Sequence, residues 1–386
     1  MRTFTHVPER SDFGYQCLVG PQKVSGARLA DLRDHFGLKL TKHMPFGSVR
    51  DEEGHIYSMV RALNAPGSTP NPTKFIYQST RLDGENIRID KERIAPRALT
   101  MFPARGLEGD TAWWSNWPDD VGQPWRISAS GTDFSWHEEG LFSLTGKLLG
   151  NGMQWYLPGV DWGTFYVAQM YDVAGTCEGR PVKGVISLDQ AWMAEGGAIH
   201  MHKDLVVNNK MHVVWWNFAT VYKDGSYDVG SFLVGHEQLG YAIFQNEKGE
   251  IRTTTDIEGT ARHQPGGWFA EDARIVLEGH EEWEFLPDPK GRMTDFVGGF
   301  PITAQQEGRW RRVGVRQTGH RFGDGRVLSQ AQGKSKLGDE NACRGKRADG
   351  APPPLVRPRP YLNAPATKPG RRHTSSKARQ FLIFNF

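Results

Sequence analysis

Between Ser48 and Gln317 the chain is cut into short β-prone runs by closely spaced Gly, Pro, Asn and Asp, and this spacing constrains its fold more than any other feature. His55–Val60 and Lys74–Ser79 alternate polar and apolar residues on either side of the breaker run Asn64–Pro72. Leu141–Leu149, Met153–Leu157, Gly163–Asp172 and Val182–Leu188 follow as a meander, with Gly150-Asn151-Gly152 as one of its turns. Tyr222–Tyr227 and Asn246–Gly249 read as hairpin turns. Further strands fit Leu239–Gln245, Glu250–Glu258, Ala273–Leu277, Glu281–Phe285 and Arg309–Gln317. Runs this short cannot be long amphipathic helices. The spacing predicts an all-β, mainly antiparallel fold of barrel or sandwich type. One helix is expected, over Ser25–Leu38, where Ala27, Leu29, Leu32 and Phe36 recur at roughly helical intervals.

Several function classes are disfavoured. No stretch of eighteen apolar residues and no basic-flanked apolar N-terminus is present, so a cytoplasmic protein with no membrane partner is expected. Cys17, Cys177 and Cys343 lie far apart, which argues against a disulfide framework and a cysteine zinc site. There is no G-x-S-x-G, Walker loop or H-E-x-x-H. From Lys334 onward twelve Lys and Arg face three Asp and Glu, in a stretch rich in Pro, Gly and Ala. That tail is expected either to be disordered or to form an arm gripping a second copy of the chain. It lacks interleaved aromatics and the body is acidic, so nucleic acid is not an expected partner.

Titratable and aromatic residues concentrate in Val185–Val221, which holds Asp189, Trp192, three histidines and Trp215-Trp216. Read as a two-residue turn, Asn208-Asn209 sets His200 opposite Asn217, His202 opposite Trp215 and Asp204 opposite Val213. These six residues would share one face, lining a cavity or facing water, while Met201, Trp216 and Phe218 pack on the other. His200-Met201-His202 also has the one-face spacing of a strand-borne metal pair, but no third ligand is fixed. A metal-free acid–base pair and solvent-exposed histidines are the competing readings. Trp113, Trp114, Trp117 and Trp125 are expected mainly as core aromatics.

The order Leu144-Thr145-Gly146-Lys147, Val182-Lys183-Gly184-Val185, Asp189-Gln190-Ala191-Trp192, Trp215-Trp216-Asn217-Phe218 and Lys223-Asp224-Gly225 resembles the carotenoid 1,2-hydratase and AttH-like superfamily. In that pattern a histidine usually stands beside the acidic residue and a glycine follows the tryptophan, where this chain has Gln190 and Met193. The resemblance implies two lipocalin-like β-barrel domains, here placed at 1–180 and 181–332, followed by the basic tail at 333–386. It also implies cofactor-free lyase or isomerase chemistry, such as hydration or cyclisation, on a hydrophobic polyketide-, terpenoid- or steroid-like molecule. Asp189, His200 and His202 are the expected acid–base residues, and Trp136, Tyr156, Trp192, Trp215 and Asn217 the expected pocket. A non-catalytic carrier of the same fold is the alternative.

Overall fold

The computed structural model describes residues 17–72, 74–159, 161–199, 202–204, 212–222, 224–235, 239–263, 269–296 and 305–314. All lie in one compact unit, and the tail from 315 onward falls outside the described residues. The first strands are β1 (Leu18–Gln22), β2 (Lys39–Asp51), β3 (Ile56–Arg61), β4 (Leu63–Asn64), β5 (Phe75–Ser79) and β6 (Arg88–Ile89). Next come β7 (Ala104–Glu108), β8 (Thr111–Ser115), β9 (Trp125–Ala129), β10 (Asp133–Glu138), β11 (Phe142–Leu148) and β12 (Gly152–Leu157). The long hairpin β13 (Thr164–Cys177) and β14 (Arg180–Met193) completes a 14-stranded antiparallel sheet. Two four-stranded sheets follow. One is β15 (His212–Val221), β16 (Tyr227–Gly235), β17 (Gly240–Asn246) and β18 (Ile251–Thr254); the other is β19 (Ile257–His263), β20 (Ala270–Leu277), β21 (Glu281–Arg292) and β22 (Gln306–Arg312). The all-β, antiparallel expectation holds. The residue-180 division falls on the turn between β13 and β14, which pair from Thr164↔Met193 to Cys177↔Arg180, so the first sheet runs on to Met193.

The first sheet curls over its own inner face. Phe75 and Tyr77 of β5 share a core with Trp114, Trp125, Ile127 and Trp136 of β8 to β10, although these strands are far apart in the sheet order. Arg61 of β3 reaches across this interior to Glu138 of β10 at 2.8 Å, and neither side chain is exposed. The guanidinium lies 4.4 Å from the Phe75 ring centroid and 4.3 Å from that of Trp125. Two distant strands of the sheet are thereby tied together through a desolvated charge pair. The two smaller sheets enclose a second aromatic core of Trp216, Phe218, Phe232, Phe244, Trp283 and Trp310.

Between these cores lies a third layer, formed by the outer face of the first sheet and the inward face of β15–β17. Met44, Trp155, Tyr166, Met170 and Met193 meet Trp215, Leu233 and Tyr241 there. The arrangement depends on strict alternation along β14. Val185, Ala191 and Met193 enter this middle layer, whereas Ile186 and Leu188 enter the curled interior.

The expected Ser25–Leu38 helix is only α1 (Gly26–Leu29), capped by Ser25. Asp31 turns its carboxylate back onto Arg33, and Phe36 and Gly37 take positive φ in a turn bridging His35 and Leu38. These local bonds compete with helix continuation. The second helix is α2 (Lys91–Ile94).

Much of β2 escaped the periodicity argument, because eleven of its thirteen residues are buried and no polar–apolar alternation survives. Its close contact with β14 requires Gly47, where a Cβ would lie 2.2 Å from the Val185 carbonyl oxygen. Gly47→Ala is therefore expected to destabilise the protein by about 1–3 kcal/mol, read as a lower denaturant midpoint at unchanged slope. An unaltered midpoint would refute the close approach.

Candidate active site around Asp189

Asp189 is the centre of the middle layer and is 1% exposed. Its Oδ1 accepts the Ser187 hydroxyl; its Oδ2 accepts the Tyr166 hydroxyl and, at 3.1 Å, the Asn217 amide. Strand geometry explains each neighbour. Ser187 is two residues away on the same strand face. Tyr166 belongs to the paired strand, where Ala168 is opposite Asp189 and Tyr166 is diagonal to it. Asn217 descends from β15 across the layer.

Lys42 also belongs to this layer. It pairs with Ala191 in the β2–β14 ladder, one step diagonal from Asp189, and is 2% exposed. Its Nζ has no hydrogen-bond partner. Burial pushes the amine down to about 7, against the opposing charges of Asp204 and Asp189. Burial likewise pushes the Asp189 carboxyl up to about 7, even though Ser187, Tyr166 and the Lys42 charge pull it down. Desolvation outweighs these three favourable partners because both groups are cut off from water. An acid and an amine buried in one layer are thus both shifted toward neutrality, and each acts on the charge of the other.

The surrounding wall is aromatic. Trp155 stacks on Tyr166 with centroids 5.4 Å apart and on Tyr241 at 5.4 Å, and Trp215 meets Tyr166 edge-on at 5.3 Å. Ser231 and Tyr241 hydroxyls lie 3.2 Å apart at its margin. The Asn217 Oδ1 and the Trp155 Nε1 are buried without partners. Such unfilled donors and acceptors are costly in a core, and a polar ligand group would satisfy them.

Of the residues expected from the sequence, the structure brings together Asp189, Trp215 and Asn217. The division of β15 holds: Trp215 and Asn217 turn inward to Asp189, and Trp216 and Phe218 enter the second core. The proposed pairing does not. His202 exchanges backbone hydrogen bonds with Ala198 at 2.9 Å in both directions and its side chain is exposed, while Trp215 pairs with Leu233 and Asn217 with Ser231. Asp204 is buried near enough to Lys42 to act on its charge. His200 and the Asn208-Asn209 turn lie outside the described residues.

Three expected pocket residues sit elsewhere. Trp192 is an odd number of residues from Asp189, so it leaves the opposite face of β14; its Nε1 donates to the Arg33 carbonyl at 3.1 Å and it packs on Phe165. Tyr156 likewise stacks on Phe36 at 4.4 Å, while its neighbour Trp155 takes the inward position. Trp136 is in the curled interior, donating to Glu138 at 3.0 Å. Lys42, Trp155, Tyr166, Ser187 and Tyr241 were not anticipated. Ser187 was legible from its two-residue spacing to Asp189; the others required the sheet order. The described residues offer one group spaced for a metal, Asp51, Glu53 and His55, remote from this layer and engaged with Arg180.

No family model matches the sequence, and no curated protein does. Solved structures do superpose. A protein provisionally named AttH from Nitrosomonas europaea is 15% identical, covering 78% of this chain and 95% of its own, with a TM-score of 0.44. CghA in complex with Sch210972 is 11% identical over 77% of this chain and 87% of its own, at a TM-score of 0.39. Kievitone hydratase from Nectria haematococca is 10% identical over 81% and 95%, at 0.38. The functional reading therefore rests on the chain's own residues.

Proposed function

We propose that the Asp189 layer is the active site of a cofactor-independent enzyme of lyase or isomerase type, acting on a hydrophobic small molecule. The observation that carries this reading is a buried carboxyl held near neutrality inside an aromatic wall, with a buried amine that lacks a hydrogen-bond partner beside it. Protonated Asp189 would deliver its proton to an alkene, enol or leaving oxygen, and Tyr166, Ser187 and Asn217 would receive the resulting carboxylate with their hydrogen bonds already aimed. Neutral Lys42 would accept a proton from the substrate or from attacking water. Indole and phenol faces would stabilise positive charge developing on carbon. Within this class, a polyketide-, terpenoid- or steroid-like substrate suits the apolar wall.

Incubation of the protein with a panel of such molecules, followed by mass spectrometry and chiral chromatography, tests the reading. Conversion that disappears in Asp189→Asn supports it. Conversion that survives the substitution contradicts it, and tight binding without product in every case would favour a carrier.

The same burial predicts a stability signature. Asp189 has its pKa raised, so its contribution is present below about pH 4 and is lost as pH rises toward 7. Lys42 has its pKa lowered, so the cost of burying its charge is greatest below about pH 7 and is relieved as pH rises toward 10.5. Lys42→Met is expected to raise the melting temperature at pH 6 and to raise it less at pH 9, as functional charge is exchanged for packing. An equal shift at both values would contradict the buried amine.

A further inference from the structure

The reverse face of the two strands that carry Lys42 and Asp189 holds a second, separate enclosure. His43 follows Lys42 and Gln190 follows Asp189; these two pair across the ladder and point away from the middle layer. There, at one end of the curled sheet, lies a cavity of about 240 Å³. Its apolar wall is Leu29, Leu32, Trp113 and Trp114, and its polar residues are His43 and Arg105. The Trp113 indole lies flat on the backbone at Gly106, where a Cβ would come within 2.6 Å of the ring. His43 is tilted against Trp114 with centroids 4.8 Å apart.

The charge balance of this enclosure is incomplete. Arg105 donates from Nη2 to the Asn64 carbonyl, but its Nε and Nη1 are buried without partners. No carboxylate pairs with it among the described residues. His43 does not add a second charge, since burial, helped by the nearby Arg105, pushes its pKa down to about 3. Its Nε2 is 2.7 Å from the Leu29 carbonyl, which fixes the proton there and leaves Nδ1, also partnerless, as an acceptor. A half-buried cation with two shielded N–H groups and no counter-ion is costly, and one anion neutralises it. The Trp114 indole and two leucines select a flat apolar body, and the volume is below that of pockets for drug-sized ligands, so it suits a single ring.

We propose that this cavity is a binding site for a small aromatic carboxylate, with the carboxylate on Arg105 and the ring against Trp114, Leu29 and Leu32. It goes beyond the Asp189 reading and does not depend on it. The test uses the full chain, with benzoate as the probe and benzyl alcohol as its neutral counterpart, followed by calorimetry and tryptophan fluorescence. Benzoate is expected to bind saturably, at least tenfold more tightly than benzyl alcohol. Arg105→Gln should weaken benzoate at least tenfold and leave benzyl alcohol unchanged, and Asp189→Asn should leave benzoate unchanged. Leu32→Trp fills the enclosure from its exposed rim and should abolish binding of both, which provides the decisive variant if Arg105→Gln does not fold. Absence of benzoate binding, unchanged affinity in Leu32→Trp, or loss of benzoate binding in Asp189→Asn would overturn the assignment.

Discussion

Replacing Glu138 with alanine is expected to cost about 3–5 kcal/mol, enough to unfold much of the protein at ordinary temperature. The reason is the partner left behind. Arg61 is fully buried, clamped between Phe75 and Trp125, and its Nε and Nη2 both end on the Glu138 carboxylate at 2.8 Å. Its remaining contact, Nη1 to the Ala98 carbonyl at 3.1 Å, cannot neutralise it. Trp136 loses the acceptor for its Nε1 in the same substitution. Removing both charges together, as Arg61→Met with Glu138→Leu, should recover most of the loss, because two desolvated ions are then replaced by packing. Chemical denaturation of the single and double variants checks this. A single variant as stable as the parent would mean that the ion pair does not close the curled sheet.

Asp189→Asn is expected to lower turnover of a converted substrate by about 10²–10⁴-fold while changing substrate binding little. Asparagine keeps the volume and the acceptor for Ser187 or Tyr166 but has no proton to give. The conservative geometry separates chemistry from folding. The rate of the parent should depend on pH around neutrality through the coupled Asp189 and Lys42 groups, and that dependence should be altered in the variant. A variant with the parent's turnover would remove Asp189 from the chemistry.

The sequence made the fold class legible because turn residues and period-two alternation are local signals. Asp189, Trp215 and Asn217 were legible for a related reason, since polar residues at same-face positions in otherwise apolar strands are conspicuous. Lys42 was hidden in β2, whose two buried faces erase alternation. Tyr156 and Trp155 show the limit of counting without register: adjacent aromatics necessarily face opposite ways, and only the pairing with β1 and β13 decides which enters the site. Trp192 failed for the same cause, because closeness in sequence to Asp189 places it behind the sheet. The His202 pairing failed because His202 bridges back to Ala198 and the chain turns at Lys203, which takes positive φ, so no strand runs through 202–204. Glu138 follows the exposed His137 with no local sign of its burial, which only the closure of the sheet onto Arg61 reveals.

The central claim is that Asp189 is a carboxylic acid that still holds its proton close to neutral pH. Infrared difference spectroscopy of the parent against Asp189→Asn, recorded from pH 4 to 9, isolates its carbonyl band from that of Glu307, whose buried carboxyl is also pushed up to about 7. The account predicts a protonated-carboxyl band that disappears with a midpoint near 7. A band already lost at pH 5 would contradict it.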